Sequence, residues 1–241
     1  MYIILYVLDS LRTDHLSCYG YQRNTSPNID KLSKDGIIFK NAFAQSTWTK
    51  PSAASILSSL YPSVHKVEYF ESYFDKKLLR LPDFLKNLGY KNYAISAMGQ
   101  VSTPMGFNKN FDIFIDLYKE NKITYKEKIK NKNVEEILKL EEVSLPLSED
   151  INRYIFPYFD IDSKDKFFFI WSIDTHVPYN PPKEFNKFLD PSYEGKITGK
   201  ENDLKRIHGD KDKKRIIDLY DCEIYYNDFQ IGVLIEELKN K

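Results

Sequence analysis

The stretch KFFFIWSID, Lys166 to Asp174, restricts the fold more than any other part of the chain. It is almost continuously apolar, with no polar alternate positions to face water. Such a strand is covered on both faces, as inner strands of a parallel sheet are. The pattern predicts a central strand with Asp174 at its carboxyl end. YIILYVL, Tyr2 to Leu8, reads as a second buried strand and ends at Asp9. IIFKNAFA and YKNYAISA are further strand candidates.

Helical signals alternate with these strands. Ser26-Pro27 offers an N-cap and a proline at the first helical position, Ile29 and Leu32 give that helix an apolar side, and Gly36 ends it. Pro51 to Leu60 is a helix rich in Ala, Ser, Ile and Leu. Pro82 starts another, with Phe84, Leu85 and Leu88 expected inward and Gly89 as its stop. Residues 212–239 form a long amphipathic helix with Ile217, Tyr220, Ile224, Ile231, Leu234 and Leu238 along one stripe. Alternating strands and helices predict an α/β fold with a largely parallel sheet, in one domain over residues 1–241. Residues 119–142, rich in Lys, Glu and Asn, read as a solvated helix or an insertion.

Composition narrows the class. With 42% hydrophobic and 29% charged residues, the chain is a soluble globular protein. A formal net charge of +0 offers no basic face, so a nucleic-acid partner is not expected. The N-terminus lacks a basic n-region and a small-residue cleavage site, and no apolar run approaches a membrane span. Cys18 and Cys222 match neither a disulfide framework nor a metal-ligand spacing. A cytoplasmic location is the expectation.

Chemistry is expected where strands end, because ligands of open α/β sheets bind beyond the carboxyl ends. Asp9 and Asp174 fall there, the latter followed by THVPYNPP. Thr49 precedes a helix start, whose unpartnered N–H groups suit an anion. A threonine hydroxyl is a poor nucleophile until a metal or base activates it. A carboxylate such as Asp9 would hold that metal, and the target would be a tetrahedral oxyanion ester, phosphate or sulfate. A cap at the helix start is the simpler structural role for Thr49.

The stretch LDSLRTDHLSCYGYQRNTSPNIDKLSKDGIIFKNAFAQSTWTKPSAASILSSLYPSVHKV resembles the N-terminal signature of the sulfatase family, within the alkaline phosphatase superfamily. GYKNYAISAMGQ, GFNKNFDIF, FFFIWSIDTHVPYNPP and YDCEIYYNDFQIGVLIEEL are similar to later family segments, in the same order. The resemblance implies an alkaline phosphatase-like fold, with a mostly parallel central sheet flanked by helices. It also implies roles. Asp9 would be a metal ligand, Thr49 the nucleophile, and His65 would lie near the transferring group. His176 would contact the oxyanion or leaving group, and Lys50 and Tyr179 would face the substrate. The ion is divalent, with Ca, Mg, Mn and Zn all open. Asp174 has two readings, support of the site or a loop hydrogen bond. Packing against Pro181 and Pro182 is the alternative for Tyr179. His15 and His208 read as structural or solvent-exposed.

The chain departs from the family at three places. Many sulfatases oxidise a Cys or Ser to formylglycine within a Cys/Ser-x-Pro-Ser-Arg signature, whereas here Thr49, Lys50, Pro51, Ser52 and Ala53 stand there. Oxidised threonine would be a ketone, so no formylglycine is expected and the chemistry shifts toward phosphoryl esters. Ser10 follows Asp9 where a second acid is common. The family's Ser-Asp-His-Gly-like segment, which supplies further ligands, has no match before Lys241. Asp221, Glu223 and Asp228 read as solvated or structural, and the HGD at 208–210 as no substitute. A sheet and site incomplete at the C-terminus follow as expectations, with completion by a missing segment or a second chain. Two functions are carried forward. One is a metal-dependent hydrolase or transferase of sulfate or phosphate esters. The other is a catalytically silent sulfatase-fold binding module.

Overall fold

The structure is a computed structural model that describes residues 1–118, 146–161 and 164–241. The Lys- and Glu-rich stretch read at 119–142 lies outside the described residues. The chain divides into two compact units, Met1–Val7 with Phe43–Ser172, and Leu8–Ala42 with Ile173–Lys241.

The first unit carries an open parallel sheet of four strands. These are β1 (Tyr2–Leu8), β2 (Lys91–Ser96), β3 (Ile113–Asp116) and β4 (Lys166–Ser172), in the order β1-β4-β2-β3. In the β2–β4 register Lys91 faces Lys166 and Ser96 faces Trp171, and on the other side Tyr93 of β2 faces Ile113 of β3. Every residue of β4 is buried, as its apolar run predicts. Side chains alternate across the strand. Phe167, Phe169 and Trp171 enter a core with Ala53, Ala54, Leu57, Phe74, Val101 and Phe107. Phe168 points the other way, stacked on Tyr93 at 5.2 Å and meeting the edge of Phe159 at 4.9 Å. β1 is an edge strand of this sheet, and its residues are only half-buried. Among the described residues it has a neighbour on one side alone, which its sequence cannot show.

Four helices of this unit are α2 (Thr49–Ser58), α3 (Pro62–His65), α4 (Leu81–Asn87) and α5 (Ser148–Ile155), where α1 is Pro27–Asp35 of the second unit. α2 begins two residues earlier than its proline suggests. Ala53 and Ala54, both fully buried, let its backbone approach the core closely. α4 buries Leu85, but Phe84 and Leu88 are exposed, a correction to the inward face expected for them. A helix this short turns one narrow stripe to the core. IIFKNAFA forms no strand, and Ile37, Phe39 and Phe43 are 84%, 72% and 81% exposed. Apolar alternation permits a strand, yet only a neighbour with unpaired backbone groups makes one.

A buried cation braces the loops of the first unit. The Arg80 guanidinium donates to the carbonyls of Gly106, Phe74 and Asp75 at 2.6–2.8 Å and lies over the Phe74 ring at 3.6 Å. Burial pushes its pKa down to about 10. Gly106, at φ +86°, sits where a Cβ would meet the Phe74 carbonyl oxygen at 2.6 Å.

In the second unit α6 (Gly209–Lys239) packs on α1. Asp228 of α6 accepts the N–H groups of Asn28 and Ile29 at 2.8–3.1 Å, satisfying donors that a helix start leaves open. The acids read as solvated or structural are buried, Asp221 and Asp228 fully so and Glu223 at 3% exposure, which leaves the structural reading, and Asp218 of the same helix is buried with them. Ile217, expected on the apolar stripe, is 41% exposed, whereas Ile224, Ile231 and Leu234 are buried. Among the described residues no helix is long and apolar enough to cross a membrane.

Replacing Phe169 by Ala should cost about 3–5 kcal/mol, while Phe84→Ala should stay within about 0.5 kcal/mol. Urea melts of the two variants test the assignment of core and surface.

Candidate active site

The residues expected at the site fall in both units, Thr49, Lys50 and His65 in the first and Asp9, His176 and Tyr179 in the second. Thr49 is the first residue of α2 and is half-buried. Lys50 follows it and is fully buried. Its ammonium donates to the carbonyl of Phe70, to that of Ser72 at 3.0 Å and to Met105 Sδ at 3.3 Å. An ammonium has three donors, and all are used inside the unit. Burial lowers the Lys50 pKa.

His65 closes the same helix from below. Its Nδ1 accepts the Val67 N–H at 3.0 Å, so that nitrogen carries no proton. Nε2 therefore bears the hydrogen and faces Ser55 Oγ at 3.0 Å. Burial lowers the pKa of this ring, which is 3% exposed, and a hydrogen bond to the Pro51 backbone partly opposes the shift. The outcome is a neutral imidazole tied to the first turns of α2.

In the second unit Asp9 follows β1 directly and is 7% exposed. Ser10, where a second acid was expected, adopts φ 61° and donates to Asp9 Oδ1 at 3.3 Å. Thr175 Oγ1 donates to the Asp9 carbonyl, which ties the segment after β4 to the segment after β1. His176 comes next and is half-exposed. Its Nδ1 lies 2.6 Å from the Val177 carbonyl oxygen. A carbonyl only accepts, so Nδ1 holds the proton and Nε2 is the atom left for a ligand. The two candidate histidines are thus opposite tautomers, and only His176 presents a ring nitrogen outside its own local bonds.

Tyr179 donates its N–H to the Gly199 carbonyl at 2.9 Å, and its ring lies 5.5 Å from that of Tyr220. Gly199, at φ +97°, passes so close that a Cβ would meet the Tyr179 carbonyl oxygen at 2.1 Å. Asp174 accepts Asn227 Nδ2 at 2.9 Å. His15 is structural, its Nδ1 donating to Asp221 at 2.7 Å beside Tyr21 and Arg23. Glu223, read from the sequence as solvated or structural, faces this segment. Its Oε1 accepts the Asn180 N–H at 2.5 Å and its buried Oε2 has no hydrogen-bond partner. Burial, aided by the charge of Asp174, pushes its pKa up to about 9.

A catalytic divalent ion takes at least three protein donors. Among the described residues no group of three or more His, Cys, Asp or Glu side chains is arranged to hold a metal ion. The described side chains about Asp9 therefore do not fit such an ion by themselves.

An open parallel sheet flanked by helices, with candidate residues just past the ends of β1 and β4, defines an open-sheet α/β protein. A sulfatase family profile matches residues 2–241, and the chain belongs to that family. Iduronate 2-sulfatase of Mus musculus is 34% identical over 111 residues, 45% of this chain and 19% of that protein. Phosphonate monoester hydrolase of Agrobacterium radiobacter superposes with a TM-score of 0.73 at 16% identity, over 99% of this chain and 59% of that one. The C-terminal periplasmic domain of EptC from Escherichia coli, in complex with zinc, superposes with a TM-score of 0.66 at 17% identity, over 99% and 59%. The chain thus spans under two thirds of the length of these relatives.

Because the folded pKa of Glu223 lies above the unfolded value of about 4.3, its contribution to stability is most favourable below that pH. The contribution is lost as pH rises toward about 9. Glu223→Gln should therefore gain melting temperature over the wild type progressively between pH 5 and pH 9. A gap that does not change with pH would contradict the assignment.

Proposed function

We propose that this chain is part of a hydrolase or transferase of oxyanion esters, with Thr49 as nucleophile and phosphoryl esters preferred over sulfate esters. The observation that carries this reading is the position of Thr49, half-buried, at the first residue of a helix start in a sulfatase-family chain. Thr49 Oγ1 would attack the phosphorus, its proton would pass to solvent or a base, and the bond to the leaving oxygen would break. The leaving oxygen takes up a proton, and water or an acceptor hydroxyl then releases the phosphoryl group from the threonine. Developing charge on the equatorial oxygens suits the positive dipole end of α2. His176 Nε2 would donate to an oxyanion or leaving group when the ring is protonated. His65 would serve by holding α2 through Ser55 and Pro51, and Lys50 by anchoring the next residue of that helix. Tyr179 would border the ester.

Phosphate is favoured over sulfate because Thr49 with Ala53 gives no route to formylglycine, and an unmodified threonine must be regenerated by direct displacement. Asp9 is proposed as one ligand of a divalent ion, which the described side chains about it would not hold by themselves. Two free cysteines, Cys18 and Cys222, suit a reducing compartment, and a cytoplasmic location is proposed with the activity.

The test is turnover of nitrophenyl phosphate, bis-nitrophenyl phosphate and nitrophenyl sulfate with Mg, Mn, Zn or Ca. Phosphoryl turnover should fall by about 10³-fold or more in Thr49→Ala. Release from the sulfate ester alone would overturn the phosphoryl preference. A folded protein silent on every ester would support the binding-module reading.

A further inference from the structure

The segment from Ile173 to Asn180 carries His176 at its exposed middle and is held at both ends by one helix. At the near end Asn227 Nδ2 donates to Asp174 Oδ2 at 2.9 Å. At the far end Glu223 Oε1 accepts the Asn180 N–H at 2.5 Å. Glu223 and Asn227 are four residues apart, which places them on one face of α6. Both are buried, at 3% and 0% exposure, as is Asp174 at 6%. Thr175 adds its bond to the Asp9 carbonyl, and the His176 N–H turns back to the Ile173 carbonyl at 2.8 Å. Between these anchors only His176, Val177, Pro178, Tyr179 and Asn180 reach the surface or its edge.

Burying a carboxyl group is costly unless it is bonded or neutral. Glu223 is bonded through one oxygen, and its other oxygen is buried without a partner. A group retained under that cost, at the loop that carries the candidate histidine, calls for a reason beyond packing. We propose that Glu223 and Asn227 are positioning residues that clamp the His176 loop and so set the direction of His176 Nε2. The inference rests on the reading of His176 as a substrate-contacting residue. Glu223 acts as the neutral acid here. The charges facing it are Asp174 and the ionisable Tyr179, and ionising it would place two carboxylates side by side.

The chain has four histidines, His15, His65, His176 and His208, so ring ¹⁵N spectra of labelled protein resolve the question directly. At pH 7 Glu223→Ala and Asn227→Ala should move or broaden the His176 ring signals while those of His65 stay in place. Glu223→Gln, which keeps the acceptor for Asn180, should match the wild type. Above about pH 9 the wild-type His176 signals should shift, and those of Glu223→Gln should not. An unmoved His176 in the two alanine variants would overturn the proposal, and so would parallel movement of all four rings, which marks general loosening. Should Glu223→Ala not fold, Asn227→Ala and the alkaline titration decide alone. Added phosphate or sulfate separates this from the functional reading. A His176 ring that answers the clamp variants but not these anions upholds the clamp and sinks the substrate contact. A ring that answers phosphate equally in all variants sinks the clamp.

Discussion

The burial of β4 on both faces is the constraint on which the first unit depends. Phe167, Phe168, Phe169 and Ile170 have no exposed surface, and such a strand needs cover above and below as well as a partner on each side. β1 and β2 supply the partners. The cores about Phe74 and Phe107 on one face, and about Tyr93 and Phe159 on the other, supply the cover. Each aromatic ring buried there brings a few kcal/mol of transfer free energy. The same constraint sets where chemistry can lie. A dry strand offers polar groups only at its ends, and β4 runs out into Asp174, Thr175 and His176.

Polar burial is the second theme, and nearly every instance is matched. Lys50 gives two donors to backbone carbonyls and Arg80 three, so loops that lack secondary-structure partners are satisfied by side chains. Asp221 accepts from His15, Tyr21 and Arg23, and Asp228 accepts from the start of α1. Glu223, like Arg80 with its Nε, leaves one buried polar atom without a hydrogen-bond partner, its Oε2. It does so beside the loop that bears the candidate histidine, where strain and unusual protonation tend to collect.

The family relation and the local geometry carry different parts of the functional reading. Membership of the sulfatase family carries the expectation of oxyanion-ester chemistry. The residues at the signature, Thr49 and Ala53, turn the expectation from sulfuryl toward phosphoryl transfer. The geometry then separates residues that the motif groups together. His65 is a neutral brace of α2 and Lys50 an internal anchor, while Thr49 stands half-buried at the helix start and His176 keeps Nε2 outside its own local bond.

The sequence by itself determined the α/β class, the central place of β4, the helices about Pro27, Pro51, Pro82 and 212–239, and the family. These follow from local periodicity, from caps and from motif order, all carried by neighbouring residues. Only the tertiary structure decided which apolar stretches pair. IIFKNAFA stayed outside the sheet despite its pattern, and β3 and α5, which the pattern did not mark, were formed by their contacts. Tertiary structure also decided that the acids of α6 lie inside. Asp218, Asp221, Glu223 and Asp228 look like a solvated face until Arg23, His15, Asn180 and Asn28 are brought to them from distant segments. Tautomers of the two candidate histidines belong to the same class of fact. They depend on which backbone group each ring meets, Val67 N–H for His65 and the Val177 carbonyl for His176, and residue identity alone does not say which way a ring turns.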